Sequence, residues 1–306
     1  MQWPNFLIVG APKCATTSLY EYLLHHPDVF LSRVRKEGRF FSEIGQGNVF
    51  WPANYPYPCS NSVQEYSKIF KDYANQKLIG DVSPDYFAYP EVSIRNIKKY
   101  CGENVKIIIM VRDPIERSFS HYLQNVRRGS EHFSFHKALQ IENVRKDDNW
   151  GFQWLYASTS FFSQRITLFK KSFRYVQVYS KHELDEHPKS VLQRMHDFLG
   201  IELQSDLQLP RLNTGGIQQE KIDTVLKGDF DSQLHLLNRA AYTGEFIMTK
   251  PTRDTSFDCG GTLIPFGVHN IKPDTLHVLK KRFMQDIIAL QELHGINLSL
   301  RRYDDY

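Results

Sequence analysis

The sequence is poor in cysteine and has no long apolar run. Four cysteines are spread over 306 residues, and none of them forms a C-x-x-C pair. This spacing argues against a disulfide framework or a zinc site and favours a reducing, cytoplasmic environment. No run approaches the roughly 20 apolar residues of a membrane helix, and the N-terminus does not resemble a signal peptide. We therefore expect no membrane association.

A strong excess of charge of one sign is also missing. The formal net charge is +4, which is too small to indicate a nucleic acid partner but suits an acidic small ligand. The chain is long enough for one large α/β domain. Because it shows no internal repeat and no linker, we predict a single domain over residues 1–306. No feature of the composition indicates an oligomeric state.

Five short apolar runs, rich in Val and Ile, predict buried parallel strands. The runs are 6–9, 29–32, 77–81, 105–113 and 175–180. Helical patterns alternate with them at 16–26, 63–73, 90–100, 116–128 and 189–200. This alternation predicts an α/β, P-loop-like fold with a central parallel sheet flanked by helices. Residues 210–265 are loop-rich and predict a late variable insertion before a final helix at 273–295.

The segment GAPKCATTSLYEYL, residues 10–23, follows the first strand and suggests a phosphate site. It fails the Walker A pattern, because Ala15 and Thr16 stand where glycine and lysine are required, and Lys13 comes three positions early. A helix N-terminus, a lysine and several hydroxyl groups can nevertheless hold an anion. The candidate residues are Lys13, Cys14, Ala15, Thr16, Thr17 and Ser18. The alternative is a Thr-capped helix with a solvated lysine.

A second candidate for anion binding is VRDPIERSFSHYLQNVRRG, residues 111–129. Arg112 ends the fourth strand, at the sheet edge where open α/β proteins bind ligands. Ser120 would lie on the second turn of the following helix, so Arg112 and Ser120 could share one phosphate. In the alternative reading, Arg112 and the aspartate beside it form a structural ion-pair network with Glu116 and Arg117.

Together, APKCATTSLYEYL and VRDPIERSFSHY resemble the paired signature of PAPS-dependent sulfotransferases, where PAPS is 3′-phosphoadenosine-5′-phosphosulfate. The resemblance continues in KEGRFFS (36–42), GDVSPDYF (80–87) and FLG (198–200). It is closest to the heparan-sulfate and bacterial branch. It implies that residues 10–18 hold the 5′-phosphosulfate and that Arg112 and Ser120 hold the 3′-phosphate. It also implies PAPS as co-substrate, 3′-phosphoadenosine-5′-phosphate (PAP) as product, and no metal.

The resemblance further implies a catalytic base. In the heparan-sulfate branch a KE-x-x-FF pattern carries a catalytic glutamate, and KEGRFF matches it. Glu37 is therefore expected to remove the acceptor proton, and Lys13 to neutralise charge on the leaving phosphate. We expect the strand that precedes Glu37 to lie beside the first strand. His25, His26 and His121 are rival bases, although a packing or phosphate-side role suits His121 better.

The sequence departs from the family pattern in two places. The E-K-T-P of glycan-modifying members stands here as DVSP, residues 81–84, and the K-G-R-x-x-P loop stands as GGTLIP, residues 260–265. The basic residues of both motifs are absent, so the backbone N–H groups of Gly261 and Thr262 remain as candidates for binding the 3′-phosphate. The lost positive charge favours a small-molecule acceptor over a polyanionic glycan.

The sequence thus predicts a sulfotransferase that moves the sulfuryl group of PAPS to a hydroxyl or amine of a small molecule, with a saccharide as the alternative acceptor. Some aromatic side chains could wall an apolar or cationic acceptor pocket, although core or surface packing is expected for most of them. The candidates are Trp51, Tyr55, Tyr57, Tyr86, Phe87, Trp150, Phe152 and Trp154. A P-loop kinase or NTPase is disfavoured by the missing Walker lysine. A non-catalytic nucleotide-binding protein is disfavoured because Lys13 and Glu37 are both present.

Overall fold

A computed structural model describes residues 2–43, 47–52, 58–204, 209–210, 268–298 and 303. Residues 211–267, which hold most of the predicted insertion together with Gly261 and Thr262, lie outside the described residues, as do Tyr55 and Tyr57. The predicted single domain and its insertion therefore stay a prediction.

All five predicted strands are present, and they form one parallel sheet in the order β2-β3-β1-β4-β5. The strands are β1 (Phe6–Gly10), β2 (Val29–Phe30), β3 (Leu78–Val82), β4 (Lys106–Val111) and β5 (Tyr175–Ser180). Every residue of β1 and β3 is buried, as expected for central parallel strands covered on both faces. The predicted fold class is confirmed.

Two predictions about individual strands are wrong. β2 does not lie beside β1, because β3 lies between them and pairs with both. β5 is not buried along its whole length: exposed and half-buried residues alternate in it. Within the described part of the chain, β5 pairs with β4 alone, so one of its edges has no neighbouring strand. Strand order and edge position depend on packing between distant segments, which the local apolar pattern does not encode.

The described helices include several that begin or end at residue types favouring these positions. Their bounds are α1 (Thr16–Leu24), α2 (Phe40–Glu43), α3 (Val63–Ser67), α4 (Asp85–Ala88), α5 (Pro90–Cys101), α6 (Pro114–Arg127), α7 (Phe135–Gln140), α8 (Glu142–Asp147), α9 (Ser163–Ser172), α10 (Lys181–Glu186), α11 (Pro188–Leu199) and α12 (Pro273–His294). Four of them start with proline, whose missing N–H costs nothing there. α11 and α12 end at Gly200 and Gly295, with left-handed φ of 77° and 66°. None of the described helices combines the length and apolarity that a membrane crossing requires.

Two apolar clusters hold the sheet and the helices together. The larger cluster joins β1, β3 and β4 to side chains of α1, α9 and α11, such as Leu19, Ile166 and Met195. The smaller one joins α6 to α12, for example through Phe119 and Phe283. Because the strands are parallel, β1, β3 and β4 all end at the same edge of the sheet. The predicted phosphate segments follow β1 and β4 at this edge.

Candidate active site

The loop after β1 has the geometry of an anion-binding nest. β1 ends at Gly10, whose φ is 149° and where an added Cβ would lie 2.4 Å from the Cβ of Phe87. Glycine is therefore required for the close packing of this turn. Lys13 and Ala15 then adopt left-handed φ values of 68° and 67°. Left-handed residues placed between ordinary ones turn successive N–H groups toward one side, which creates a concavity for an anion.

Helix α1 begins at Thr16 without a capping side chain. Its N-cap residue is Ala15, and no side chain accepts a hydrogen bond there, so the Thr-capped alternative is wrong. The first N–H groups of α1 are consequently not satisfied by a cap and can serve a ligand. Thr16 and Ser18 are buried, whereas Thr17 is partly exposed. The Oγ1 atom of Thr17 accepts a hydrogen bond of 2.7 Å from Lys36 Nζ.

Lys13 lies within a cluster of positive charges. Burial lowers the pKa of Lys13 to about 7, with further lowering by Arg127, Arg128, Arg112 and Lys36. Burial and like charges both disfavour the ammonium form, so a bound anion would restore it. Sequence reasoning did not assign Arg127 and Arg128 to this site, although both lie in the second phosphate segment, where α6 ends.

Arg112 links the two phosphate segments directly. It follows β4, and its Nη1 donates a hydrogen bond of 3.4 Å to the backbone oxygen of Lys13. Its Nε donates to Glu116 Oε2 at 2.9 Å, so part of the alternative ion-pair reading is present. Arg117 takes no part in that pair. Ser120 lies on the second turn of α6 and is partly exposed.

Arg117 instead forms a buried hydrogen-bonded hub. Its side chain is fully buried and donates to the backbone oxygens of Pro12 and Tyr156, at 3.5 and 2.8 Å. It also donates to Ser160 Oγ and Thr159 Oγ1, both at 2.7 Å. Burial is the main cause that lowers the pKa of Arg117, to about 10. The hub ties the loop after β1 to α6 and to the segment around residue 160.

Both ring nitrogens of His121 are hydrogen-bonded at the same hub. Nδ1 accepts a hydrogen bond of 3.1 Å from Arg117 Nη2, and Nε2 donates one of 2.7 Å to Gln153 Oε1. Burial, together with the neighbouring Arg117 charge, holds the pKa of His121 well below its usual range. A neutral imidazole whose accepting nitrogen is already occupied is poorly suited to take a proton from a substrate. This geometry favours the packing role for His121.

The other two rival bases lie at the far end of α1. His25 follows α1 directly, and its Nδ1 donates to the backbone oxygen of Glu21 at 2.7 Å. His26 is buried between the backbone oxygen of Glu202, at 2.8 Å, and the backbone N–H of Asp28, at 3.1 Å. Nine residues of helix, about 13 Å, separate both histidines from the loop at Lys13.

Glu37 lies in a chain of ionic contacts that leads back to the loop. Its Oε1 is 3.5 Å from Lys36 Nζ, the group that donates to Thr17, and its Oε2 accepts from Arg39 Nε at 3.0 Å and from Arg39 Nη2. Burial by itself would raise the pKa of Glu37, but Arg39 and Lys36 outweigh it and lower the pKa to about 2. The carboxylate is therefore ionised throughout the physiological range.

A glycine and a buried aspartate fix the backbone at this glutamate. An added Cβ at Gly38 would lie 2.6 Å from Tyr66 Cε2 and 2.8 Å from Asp81 Oδ2, so only glycine fits in KEGRFF. Asp81 accepts hydrogen bonds from the hydroxyls of Tyr66, Ser83 and Tyr86, at 2.7, 2.6 and 2.6 Å. The DVSP segment, at the end of β3, thus packs against the backbone at Gly38 and holds the neighbouring Glu37 in place.

Most of the aromatic residues predicted to wall an acceptor pocket are core residues instead. Five of them are buried to within a few per cent: Tyr86, Phe87, Trp150, Phe152 and Trp154. Trp51 is partly exposed and packs over Gly151, where an added Cβ would lie 2.4 Å from its ring. The prediction therefore retains Trp51 among the described candidates. The packing reading expected for most of these residues therefore fits the structure, since aromatic residues fill cores at least as often as they line pockets.

Comparisons with known proteins agree with the paired phosphate motifs. No protein-family model matches the chain. The membrane-associated sulfotransferase kil1 of Dictyostelium discoideum is 35% identical over 122 residues, 39% of this chain and 22% of that protein. Heparan sulfate glucosamine 3-O-sulfotransferase 3B1 of Mus musculus is 26% identical over 206 residues, 65% of this chain and 47% of that protein. The chain thus spans less than half the length of both relatives.

Two solved structures share the fold. A sulfotransferase from Alicyclobacillus acidocaldarius superposes with a TM-score of 0.70 and 24% identity, covering 99% of this chain and 100% of the other. A mouse sulfotransferase complexed with PAP gives a TM-score of 0.50 and 12% identity, covering 98% and 87%. These likenesses confirm the predicted architecture, and the relatives confirm the resemblance to sulfotransferases.

Proposed function

We propose that this chain, which is related to the PAPS-dependent sulfotransferases, transfers the sulfuryl group of PAPS to a hydroxyl group of a saccharide. One observation carries the choice of co-substrate: Arg112 reaches the backbone of Lys13, at 3.4 Å. The two proposed anion-binding segments therefore meet at one sheet edge, which suits a nucleotide with separate 5′ and 3′ phosphate groups. The nest at Lys13 and Ala15 and the uncapped start of α1 fit the 5′ end.

In the proposed reaction each ionic residue has a distinct task. The acceptor oxygen forms a bond to sulfur while the bond between sulfur and the 5′-phosphate oxygen breaks, and PAP leaves. Lys13 neutralises the charge that develops on the leaving phosphate. Glu37 accepts the proton of the acceptor hydroxyl. A carboxylate with a pKa of about 2 is a weak base, so it serves best late in the reaction, once bonding to sulfur has made the hydroxyl acidic.

The names of the relatives support the saccharide as acceptor. One is named for heparan sulfate glucosamine. A carbohydrate sulfotransferase of Homo sapiens is 28% identical over 185 residues, 47% of this chain and 32% of that protein. The carboxylates near the site are engaged within the protein, which argues against their recognising a cationic small molecule instead. Glu37 is paired with two cations, and Asp81 and Asp85 are buried.

Transfer of radiolabelled sulfate from PAPS tests the proposal. We expect label to appear on oligosaccharide acceptors, and a Lys13→Met variant serves as the inactive control. Label only on phenols or amines would favour the small-molecule acceptor predicted from the sequence. No transfer to any acceptor, together with magnesium-dependent hydrolysis of ATP, would favour the NTPase class. Since Lys13 and its neighbours supply the positive charge, activity should survive EDTA.

A further inference from the structure

Tyr303 lies far from the phosphate motifs in the sequence but contacts one of them in the fold. Its side chain is buried in the apolar cluster that joins α6 to α12. Its hydroxyl donates a hydrogen bond of 2.9 Å to Asp113 Oδ1. Lys280, on α12, donates to the backbone oxygen of Tyr303 at 3.1 Å. The tyrosine is therefore anchored on both its side chain and its backbone.

Asp113 connects Tyr303 to the first turn of α6. It is the N-cap residue of α6, and the same Oδ1 atom accepts the backbone N–H of Glu116 at 2.8 Å. The Oε2 atom of Glu116 in turn accepts from Arg112 Nε at 2.9 Å. Arg112 then reaches the backbone oxygen of Lys13. Four consecutive contacts lead from Tyr303 to the proposed phosphate-binding arginine and the loop beyond it.

We infer that Tyr303 is a positioning residue for the 3′-phosphate site, because it fixes the Asp113 cap and through it the direction of the Arg112 guanidinium. The inference rests on the proposed function, since it takes the 3′-phosphate as the ligand of Arg112. Asp113 is only 6% exposed, so water cannot easily replace a lost donor. Without the tyrosine hydroxyl, the carboxylate can turn away from the helix N-terminus, and the Glu116–Arg112 pair loses its fixed orientation.

The Tyr303→Phe variant tests this inference, with titration calorimetry of PAP and AMP as the readout. AMP lacks the 3′-phosphate, so the ratio of the two affinities reports on that site alone. We expect Tyr303→Phe to lower the ratio by about threefold to tenfold, the worth of one buried hydrogen bond, and to leave the affinity for AMP unchanged. In turnover assays, KM for PAPS should rise while kcat stays the same.

Tyr122→Phe is the matched control. Tyr122 lies on α6 in the same apolar cluster and donates one hydrogen bond, of 3.0 Å, to the backbone oxygen of Phe133. Both variants should lose similar stability in urea, but Tyr122→Phe should keep the wild-type affinity ratio. In an Arg112→Ala background, Tyr303→Phe should have no further effect on the ratio, because the two residues act through one contact path.

The inference and the proposed function fail in different ways. A wild-type protein that binds PAP no better than AMP would contradict the proposed function itself. A wild-type protein that prefers PAP, beside a Tyr303→Phe variant with the same preference, would overturn only the role of Tyr303. Equal weakening of PAP and AMP in Tyr303→Phe would also overturn it, since that result indicates general destabilisation.

Discussion

Lys36 Nζ and Thr17 Oγ1 are joined by a hydrogen bond of 2.7 Å. This contact connects the KEGRFF segment to the first turn of α1, although β3 separates the strands that precede them. Because Glu37 follows Lys36 directly, the hydrogen bond holds the proposed base at the edge where the proposed 5′-phosphosulfate would bind.

Glu37→Gln should remove the proposed general base while preserving the shape of the side chain. Loss of a general base lowers the rate by about 10²–10⁴-fold, so kcat should fall by that order while the affinity for PAP stays near that of the wild type. The comparison variant is His121→Asn, because both ring nitrogens of His121 are already hydrogen-bonded within the wild-type protein. Near-normal turnover in Glu37→Gln, beside an inactive His121→Asn that still binds PAP, would transfer the role to the histidine.

Arg39→Gln should change the pH profile through Glu37. Arg39 is the first of the cations that lower the pKa of this glutamate to about 2, so its removal raises that pKa. In the wild type, Glu37 should stay ionised at every pH at which the protein is folded, so kcat should not fall through its protonation. In Arg39→Gln, kcat should fall toward acid pH because Glu37 becomes protonated there. Arg33→Gln, at an exposed arginine four residues before Glu37 in the sequence, is the control. Identical acid limbs in all three proteins would contradict the ion pair's role.

Binding of PAP should take up a proton near pH 8. The pKa of Lys13 is about 7 without ligand, so the lysine is mostly neutral at pH 8, and an anion beside it raises the pKa. Uptake should approach about one proton, and affinity should fall by up to about tenfold per pH unit above 7. Calorimetry in buffers of different ionisation enthalpy measures this number. Proton uptake that persists in Lys13→Met would assign it to another group.

Asp85→Asn should stabilise the protein at alkaline pH. Burial is the main cause that raises the pKa of Asp85 from 3.8 to about 7. The folded state therefore holds a proton that the unfolded chain releases, so this contribution to stability is complete below about pH 4 and is lost as the pH rises through 7. Urea unfolding at pH 8 should show Asp85→Asn more stable than the wild type by up to about 4 kcal/mol. The control variant Asp72→Asn, at an exposed aspartate, should have the same stability as the wild type. An equal stabilisation by Asp85→Asn at pH 5 and at pH 8 would contradict the titration of Asp85.

The sequence predicted the elements better than their arrangement. The five apolar runs all became strands, since Val- and Ile-rich runs between turns have few other uses in an α/β chain. The neighbour of β2 was predicted wrongly, because β3 enters the sheet between β2 and β1 from residues 78–82. Such order follows from how crossover helices pack, which no local pattern records.

The candidate site was predictable where one segment contains its own chemistry. Lys13 and the start of α1 are adjacent in sequence. Arg112 stands at the end of an apolar run that the sequence predicts to be a strand. The contact between Tyr303 and Asp113 joins residues 190 positions apart, and nothing in either local sequence marks it. The burial of Trp150 and Trp154 was equally hidden, because their type suits both a pocket and a core.

The affinity of the wild-type protein for PAP relative to AMP is the sharpest test of whether Arg112 and Lys13 belong to one nucleotide site. The two proposed anion sites at one sheet edge require that the 3′-phosphate contribute to binding, and a charge-assisted contact contributes about 1.5–3 kcal/mol. Titration calorimetry should therefore show PAP binding at least about tenfold more tightly than AMP, with most of the preference lost in Arg112→Ala. Equal affinities of the wild type for PAP and AMP would contradict the account.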